Sequence, residues 1–318
     1  MYMKKIVIFG GGSGLSQLLK GLKLFPIQIT AVVSVADNGS STGKLREELN
    51  IPAVGDITKV ILSMSDIDND IIDLLNYRFV KSKTLGGHSI KNLLLTALLE
   101  QKGSFAEAVP VMSKLLNMKG NILPLTEDSV NLVGYTKCGK KIFGEEQLTK
   151  CSEEIIRVGY DKNFTVNSKI YDAIDEADLI VFSSGSLNTS LIPHLIDKKL
   201  NKYILNSNKE KLYVCNLFTQ PGETDDFTVS DHINLINKYF KKDVIDIIVA
   251  NNNIMSNELS KTYLTKEQKE FVLIDYENLE KLKAKMLTDD LVTIEDGFFR
   301  HNSLKTAYLI FRYLMEGK

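Results

Sequence analysis

The chain has few cysteines, no excess of positive charge and no long apolar run. Its three cysteines, Cys138, Cys151 and Cys215, are odd in number and widely spaced, which predicts neither a disulfide framework nor a zinc site and is typical of a reducing compartment. Lysine and arginine total 39 against 40 aspartates and glutamates, so the chain lacks the excess of positive charge that favours nucleic-acid binding. No apolar run approaches the roughly 20 residues that cross a bilayer, and the apolar segment within residues 1–9 is too short for a signal peptide. We therefore expect a cytoplasmic protein with no nucleic-acid partner and no membrane span.

Short apolar runs alternate with longer amphipathic stretches along the 318 residues. The runs that predict strands are 6–9, 29–36, 179–182, 213–217, 245–250 and 271–274, and the main helices expected between them are 15–24, 168–177, 229–240 and 278–287. Continuous apolar strands separated by helices indicate a mostly parallel sheet covered on both faces. The fold class expected is therefore α/β, a Rossmann-like three-layer αβα sandwich formed by a single domain over residues 1–318.

Two stretches interrupt this alternation. Residues 66–117 read almost entirely as helix, with helices expected at 70–79, 89–101 and 105–116. Within residues 129–160, segments 131–136 and 141–143 lie on either side of Gly139 and predict a hairpin. We expect a helical insertion and a small β excursion on the Rossmann-like core.

The first chemical motif is a glycine run between a strand and a helix. It consists of Gly10, Gly11, Gly12, Ser13 and Gly14. Glycines let the backbone turn sharply and let a phosphate approach, and the free amides of a helix N-terminus attract the anion. The alternative is a plain tight turn. Leu15 holds the third glycine position of the dinucleotide fingerprint, which disfavours an NAD-dependent oxidoreductase.

A second polar loop follows the second strand. Its candidate ligand contacts are Asp37, Asn38, Ser40 and Ser41. An aspartate in this place accepts hydrogen bonds from ribose hydroxyls or holds a cation, and the hydroxyls donate to phosphate oxygens. The alternative is a polar loop that caps a helix. The spacing of its glycines differs from that of a Walker A loop.

Further polar clusters follow later strands or open helices. The candidates are Asp56, His88, Asn92, Gly185, Ser186, Leu187, Asn216, Thr219, Gln220 and Arg300, together with an Asp231–His232 pair. Each has a structural alternative. Asp56 is alternatively an N-cap, and His88 is alternatively a structural cap. Arg300 is alternatively a solvated side chain, and the pair is alternatively a first-turn aspartate beside a surface histidine. Because ligands of open α/β sheets bind beyond the carboxyl ends of the strands, these clusters predict one composite site.

The motifs around these candidates, in this order and spacing, resemble the gluconeogenesis factor family, also called YvcK-like, within the CofD-like superfamily. The resemblance extends from residue 4 to about residue 310. It implies a protein that binds a UDP-sugar, UDP-N-acetylglucosamine or UDP-glucose, with no required cofactor. It also implies a role in cell shape and in growth on gluconeogenic carbon sources, with cell-wall synthesis proteins as candidate partners. The superfamily's enzymes are phospholactate transferases that bind a guanine nucleotide and a deazaflavin.

The chain departs from the family's pattern at two carboxylates. Asn38 and Asn302 stand where the family usually has aspartates, and each change removes an oxygen ligand for Mg²⁺ or a base. This favours binding over turnover and no metal site. The alternative is a CofD-like transferase in which Asp37 and Asp56 flank a Mg²⁺ ion. Whether the protein forms a homo-oligomer, and whether Ser303 is phosphorylated, stay open.

Overall fold

A computed structural model describes residues 3–253 and 258–316 of the protein. Its strands are β1 (Lys5–Gly10), β2 (Gln28–Val33), β3 (Asn121–Pro124), β4 (Leu132–Thr136), β5 (Lys141–Phe143), β6 (Ile155–Tyr160), β7 (Leu179–Phe182), β8 (Glu210–Val214), β9 (Ile247–Asn251), β10 (Lys285–Asp289), β11 (Val292–Glu295) and β12 (Phe298–His301). Its helices are α1 (Gly12–Leu22), α2 (Ser40–Leu49), α3 (Gly55–Met64), α4 (Asn69–Asn76), α5 (Ile90–Lys102), α6 (Phe105–Leu115), α7 (Glu145–Thr149), α8 (Lys169–Glu176), α9 (Lys198–Asn206), α10 (Val229–Phe240), α11 (Glu258–Thr262), α12 (Tyr276–Leu282) and α13 (Ser303–Glu316). Two π-helical turns, Leu187–Leu191 and Tyr263–Glu267, and a 3₁₀ turn, Ile192–Leu195, complete the elements.

Seven parallel strands form the central sheet, in the order β10-β9-β8-β7-β1-β2-β3. From β1 the chain continues through α1 to β2 and β3 on one side, and the later strands add on the other side of β1. The direction of strand addition therefore reverses between β1 and β7. This is the switch point at which doubly wound α/β proteins bind ligands, and the predicted α/β, Rossmann-like class is confirmed.

Strand β1 shows how the sheet becomes the middle of three layers. Ile6 and Ile8 belong to the core with α1, α3 and α13, whereas Val7 and Phe9 belong to the core with α8, α9 and α10. Alternate residues of a strand point to opposite faces, so an uninterrupted apolar run is buried on both. On the first face α1 and α13 touch at Gly21, where a Cβ would overlap the carbonyl oxygen of Ser303.

The two interrupting stretches carry separate structure. Residues 66–117 hold α4, α5 and α6, close to the three helices expected there. The predicted hairpin is present as β4 paired antiparallel with β5, and β6 extends it to a three-stranded sheet in the order β5-β4-β6. The second partner strand, β6, was not expected.

Two predicted elements are wrong. The segment expected as a strand at 271–274 is irregular and forms one bridge, between Phe271 and Phe218, whose rings pack with centroids 4.3 Å apart. The helix expected at 278–287 ends at Leu282, since Lys283 is left-handed with φ 55°, and the chain then forms β10. In residues 3–253 and 258–316 no helix is both long and apolar enough to cross a bilayer.

Candidate ligand-binding crevice

The glycine run packs directly against the loop that follows β7. Gly12 begins α1 with φ +58°, a left-handed conformation that glycine adopts without strain. A Cβ on Gly14 would overlap the carbonyl oxygen of Ser184, so only glycine lets the two loops meet. The amides of Ser13 and Gly14 belong to the first turn of α1, where backbone amides have no acceptor within the helix. They therefore suit an anion lying between the loops.

The loops after β7 and β8 are tied to each other. The Gly185 amide donates to Asn216 Oδ1 at 2.8 Å, and Asn216 Nδ2 donates back to the Gly185 carbonyl at 2.9 Å. Ser186 caps the following π-helical turn by accepting from the Thr189 amide at 3.0 Å, and its hydroxyl donates to Glu223 at 2.9 Å. These bonds hold the backbone that faces the glycine run in a single arrangement.

Between these loops lies a crevice of about 430 Å³. Eight of the residues proposed from the sequence line it, namely Ser13, Gly14, Gly185, Ser186, Asn216, Thr219, Gln220 and Arg300. The remaining lining residues are Gln17, Ser184, Leu217, Phe218, Tyr263, Lys269, Phe299 and His301. The crevice thus combines backbone amides, neutral polar groups and two cations at the carboxyl ends of β1, β7 and β8.

An aromatic wall borders the crevice on one side, formed by Phe218, Tyr263 and Phe299. The Phe218 and Phe299 rings are stacked with centroids 5.4 Å apart, and Tyr263 meets Phe299 edge-on at 4.9 Å. The Tyr263 hydroxyl accepts from the Phe299 amide at 2.8 Å. Sequence reasoning missed this wall because its members come from distant loops, and only the folded chain brings them together.

Arg300 lies on β12 at the mouth of the crevice. Its guanidinium stacks over the Phe298 ring, 5.3 Å from the centroid, and donates a long 3.4 Å bond to the Phe299 carbonyl. The side chain is exposed, and within the described residues no carboxylate lies within salt-bridge distance of it. A planar guanidinium in this position is available to two oxygens of an anion at once.

The loop after β2 turns its polar groups inward. Asp37 Oδ1 accepts from the Gly39 amide at 2.8 Å, and Asn38 Oδ1 accepts from the Glu146 amide at 3.0 Å. Ser41 Oγ lies 3.0 Å from His88 Nδ1. The side chain of Ser40 lies outside the described part of the structure. The described side chains of this loop link the sheet to α7 and to α5 rather than line the crevice.

His88 and Asn92 belong to a buried polar network. Asn92 Oδ1 accepts from Thr58 Oγ1 at 2.8 Å, and its Nδ2 reaches Ser41 Oγ at 3.4 Å. His88 and Asn92 are 5% and 3% exposed, and neither is among the residues that line the crevice. Leu187 is likewise fully buried among apolar side chains and is not among the residues that line the crevice.

Asp56 lies beneath the glycine run. Its Oδ2 accepts from the Gly12 amide at 2.9 Å and its Oδ1 pairs with Lys59 at 3.0 Å, so it is not the N-cap of α3. With Asp37 and Glu145 it forms an acidic cluster around Lys59. Burial first, and then the charge of Asp56, raise the pKa of Asp37; the same causes raise the pKa of Glu145 well above its ordinary range.

The carboxylates of the acidic cluster are the candidate ligands for a Mg²⁺ ion beside the glycine run. Asp56 already accepts from the Gly12 amide and pairs with Lys59 at 3.0 Å, so a magnesium ion there would meet the positive charge of the Lys59 ammonium. Across residues 3–253 and 258–316, no three side chains of histidine, cysteine, aspartate or glutamate are grouped as metal ligands. The donor set does not fit a metal-held diphosphate.

Two structural residues escaped sequence reasoning because neither lies in a motif. Burial lowers the pKa of His194 to about 4, so the ring is neutral and its Nε2–H donates to the Gly10 carbonyl at 3.0 Å. The Arg46 guanidinium donates to the carbonyls of Asp37 at 3.1 Å and Val130 at 2.7 Å. Each fixes the carboxyl end of one central strand.

The Asp231–His232 pair and Asn302 make hydrogen bonds that stabilise helix ends. Asp231 accepts from the Thr228 amide at 2.9 Å and completes a capping box on α10, while His232 is buried with Nδ1 2.8 Å from the Thr228 carbonyl. These bonds give both residues structural roles, and the histidine expected at the surface is buried. Asn302 Oδ1 accepts from the Lys305 amide at 3.0 Å and so caps α13.

The fold and the crevice define a doubly wound, Rossmann-like α/β protein whose polar loops gather at the switch point. Residues 6–292 match the family model described as 2-phospho-L-lactate transferase CofD. The gluconeogenesis factor of Bacillus subtilis is 39% identical over 313 residues, covering 98% of each chain. A putative gluconeogenesis factor of Thermotoga maritima is 39% identical over 312 residues, covering 97% of this chain and 98% of that protein. The chain therefore belongs to the gluconeogenesis factor group of the CofD family.

Solved structures agree with this assignment. The crystal structure of a Bacillus halodurans protein superposes with a TM-score of 0.93 at 38% identity, covering 98% of this chain and 100% of that chain. A Bacillus halodurans structure described as a member of the UPF0052 family has a TM-score of 0.92 at 38% identity, covering 96% and 99%.

Proposed function

We propose that this protein binds a UDP-sugar, UDP-N-acetylglucosamine or UDP-glucose, in the crevice and acts as a non-catalytic cytoplasmic regulator. The processes regulated are growth on gluconeogenic carbon sources, as the names of its relatives suggest, and cell shape, as the resemblance of its motifs to the family implies. The partners are proteins of cell-wall synthesis.

One observation carries the proposal: first-turn amides, an exposed guanidinium and an aromatic wall surround a single cavity. A diphosphate suits the amides of Ser13 and Gly14 together with Arg300, because preorganised N–H donors and a guanidinium satisfy its oxygens. A planar base suits the Phe218–Phe299 side, where an aromatic face offers stacking. The volume of about 430 Å³ lies within the usual range of roughly 300–1,000 Å³ for small-molecule sites.

The same contacts favour binding over transfer. The two asparagines that replace family aspartates each make a structural bond, Asn38 to the Glu146 amide and Asn302 to the Lys305 amide. Asp56 is held by Gly12 and Lys59. A CofD-like transferase remains the second candidate, favoured by the family model itself.

Thermal-shift measurements against a ligand panel test the proposal. The panel is UDP-N-acetylglucosamine, UDP-glucose, GDP, NAD and a deazaflavin. A ligand at 100 times its Kd adds about 2.7 kcal/mol to the free energy of unfolding, which raises Tm by several degrees in a chain of this size. We expect a shift with a UDP-sugar and a smaller one with NAD, and a shift with NAD alone would contradict the assignment.

Chromatography separates the two candidates. We expect no consumption of UDP-sugar with or without Mg²⁺. Product formation that disappears in Asp37→Asn would instead place the protein among the transferases.

A further inference from the structure

A second cavity, of about 680 Å³, opens on the outer side of α1. It lies between α1, α3, α4, α5 and the β11–β12 hairpin. Its cationic lining residues are Lys20, Lys23, Lys59, Lys91 and Arg300, and its acidic ones are Glu295 and Asp296. We call it the lysine groove. The full chain has a net charge of −1, so this excess of positive charge is local.

The lysines of the groove are held mainly by neutral oxygens. Lys91 Nζ donates to Asn76 Oδ1 at 2.6 Å, and Lys23 Nζ donates to the Ser65 carbonyl at 2.5 Å. Among the described residues, Lys59 forms a salt bridge with Asp56 at 3.0 Å, and the charge of the Asp66 carboxylate acts on Lys23. Burial, reinforced by the nearby charges of Lys59 and Arg78, lowers the pKa of Lys91 to about 8. Cations gathered in this way repel one another, and a bound anion relieves that repulsion.

The groove begins where the crevice ends. Ser13, Gln17 and Arg300 line both cavities. Gln17 separates them, since its Nε2 donates to Glu295 Oε1 at 2.8 Å and to the His301 carbonyl at 2.9 Å. Lys20 and Lys91 line the groove and are absent from the lining of the crevice, so they distinguish the two cavities experimentally.

We propose that the lysine groove binds a second ligand, a small phosphorylated molecule, beside the ligand of the crevice. Ammonium groups bind phosphate as point charges from several directions, whereas a guanidinium binds it in one plane. A cavity lined by several lysines therefore suits a phosphate group. The groove has the volume of a small-molecule site. The proposal does not depend on a UDP-sugar in the crevice.

Titration calorimetry with inorganic pyrophosphate as the probe tests this site. We compare the wild-type protein with the double variant Lys20→Gln/Lys91→Gln. The matched control is Lys102→Gln, because Lys102 is also an exposed lysine in the last turn of a helix but lies outside the groove. We expect pyrophosphate affinity to fall at least about tenfold in the double variant and to stay unchanged in the control. Binding of UDP-N-acetylglucosamine should be the same in all three proteins.

Three results overturn the proposal: no pyrophosphate binding by the wild-type protein, equal affinity in the wild-type protein and the double variant, or equal loss in Lys102→Gln. If the double variant does not fold, as judged by its thermal melt, Lys20→Gln alone decides, because Lys20 is exposed and its loss disturbs no core contact. If pyrophosphate binds through the lysines and no UDP-sugar binds, the second ligand site in the lysine groove is supported. Only the proposed function is then refuted.

Discussion

On the β7 side of β1, the loops after β7 and β8 are bonded to each other through Gly185 and Asn216, and they leave polar groups facing the crevice. On the β2 side, a loop of similar composition directs Asp37, Asn38 and Ser41 toward its own backbone, α7 and His88. Both regions are a mixture of buried and half-buried residues; they differ because the β7 and β8 loops line the crevice and the β2 loop does not. Polar composition after a strand therefore marks a candidate site, and the neighbouring elements decide whether it is used for a ligand or for the fold.

The largest effect is expected where the glycine run and the loop after β7 touch. Gly14→Ala places a Cβ on the Ser184 carbonyl, so both loops must move apart. We expect about 3 kcal/mol of lost stability, as for overpacking of a tight contact, together with loss of UDP-sugar binding. Denaturant unfolding and calorimetry measure the two effects. Gly159→Ala is the control, because a Cβ there meets only Tyr135, at 3.9 Å; equal behaviour of the two variants would remove Gly14 from the site.

Arg300 tests whether the crevice holds the anion. Arg300→Lys keeps the charge and removes the planar fork, and we expect UDP-sugar affinity to fall by about 1.5–3 kcal/mol, the range for hydrogen bonds to charged groups. Arg157→Lys is the matched control, because Arg157 also stacks on an aromatic ring, 4.1 Å from the Tyr135 centroid, but far from the crevice. Unchanged calorimetric affinity in Arg300→Lys would leave the glycine run and the β7–β8 loops as the whole anion site.

A substitution on the β2 side should change the stability of the protein and leave its affinity for the ligand unchanged. Asn92→Ala removes the acceptor of Thr58 and a donor to Ser41 inside the fold, and we expect about 1–3 kcal/mol of destabilisation with UDP-sugar affinity unchanged. Asn206→Ala, at an exposed helix end, should leave stability unchanged. A large loss of affinity in Asn92→Ala, at full folding, would show that the β2 side does reach the ligand.

The smallest effect concerns Glu223, which anchors the loop after β7 through Ser186. Burial raises its pKa from 4.5 to about 7, so the folded protein holds a proton there that the unfolded chain releases. Stability should therefore decline as pH rises from about 4.5 to about 7 and change little from this group above that. Because the residue is only partly buried, we expect a change of about 1–2 kcal/mol.

Glu223→Gln isolates this effect. The variant should be more stable than the wild-type protein at pH 8 and show no such decline, whereas Glu277→Gln on an exposed helix face should follow the wild-type curve. Parallel pH–stability curves for Glu223→Gln and the wild-type protein would contradict a raised pKa.

The parts of the fold that follow from local pattern could be predicted. The run around Ile6–Phe9 is apolar throughout because β1 is buried on both faces, and the glycines after it mark the turn into α1. The end of α12 could not be predicted, since a left-handed Lys283 stops the helix before β10 forms. The same limit applies to the site: nothing in the residues around Phe218 and Tyr263 says that they meet. Nor does the polar loop at Asp37 reveal that its side chains will bond to Glu146 and His88, which come later in the chain.

The contact between Gly21 and Ser303 also governs when the crevice can form. The helix that carries the glycine run packs against α13, whose residues are translated almost 300 positions later. At a translation rate of roughly 5–20 residues per second, α13 is synthesised on the order of tens of seconds after α1. We therefore expect nascent chains that stop before α13 to leave the apolar face of α1 without its cover, and to depend on chaperones until the final helix docks.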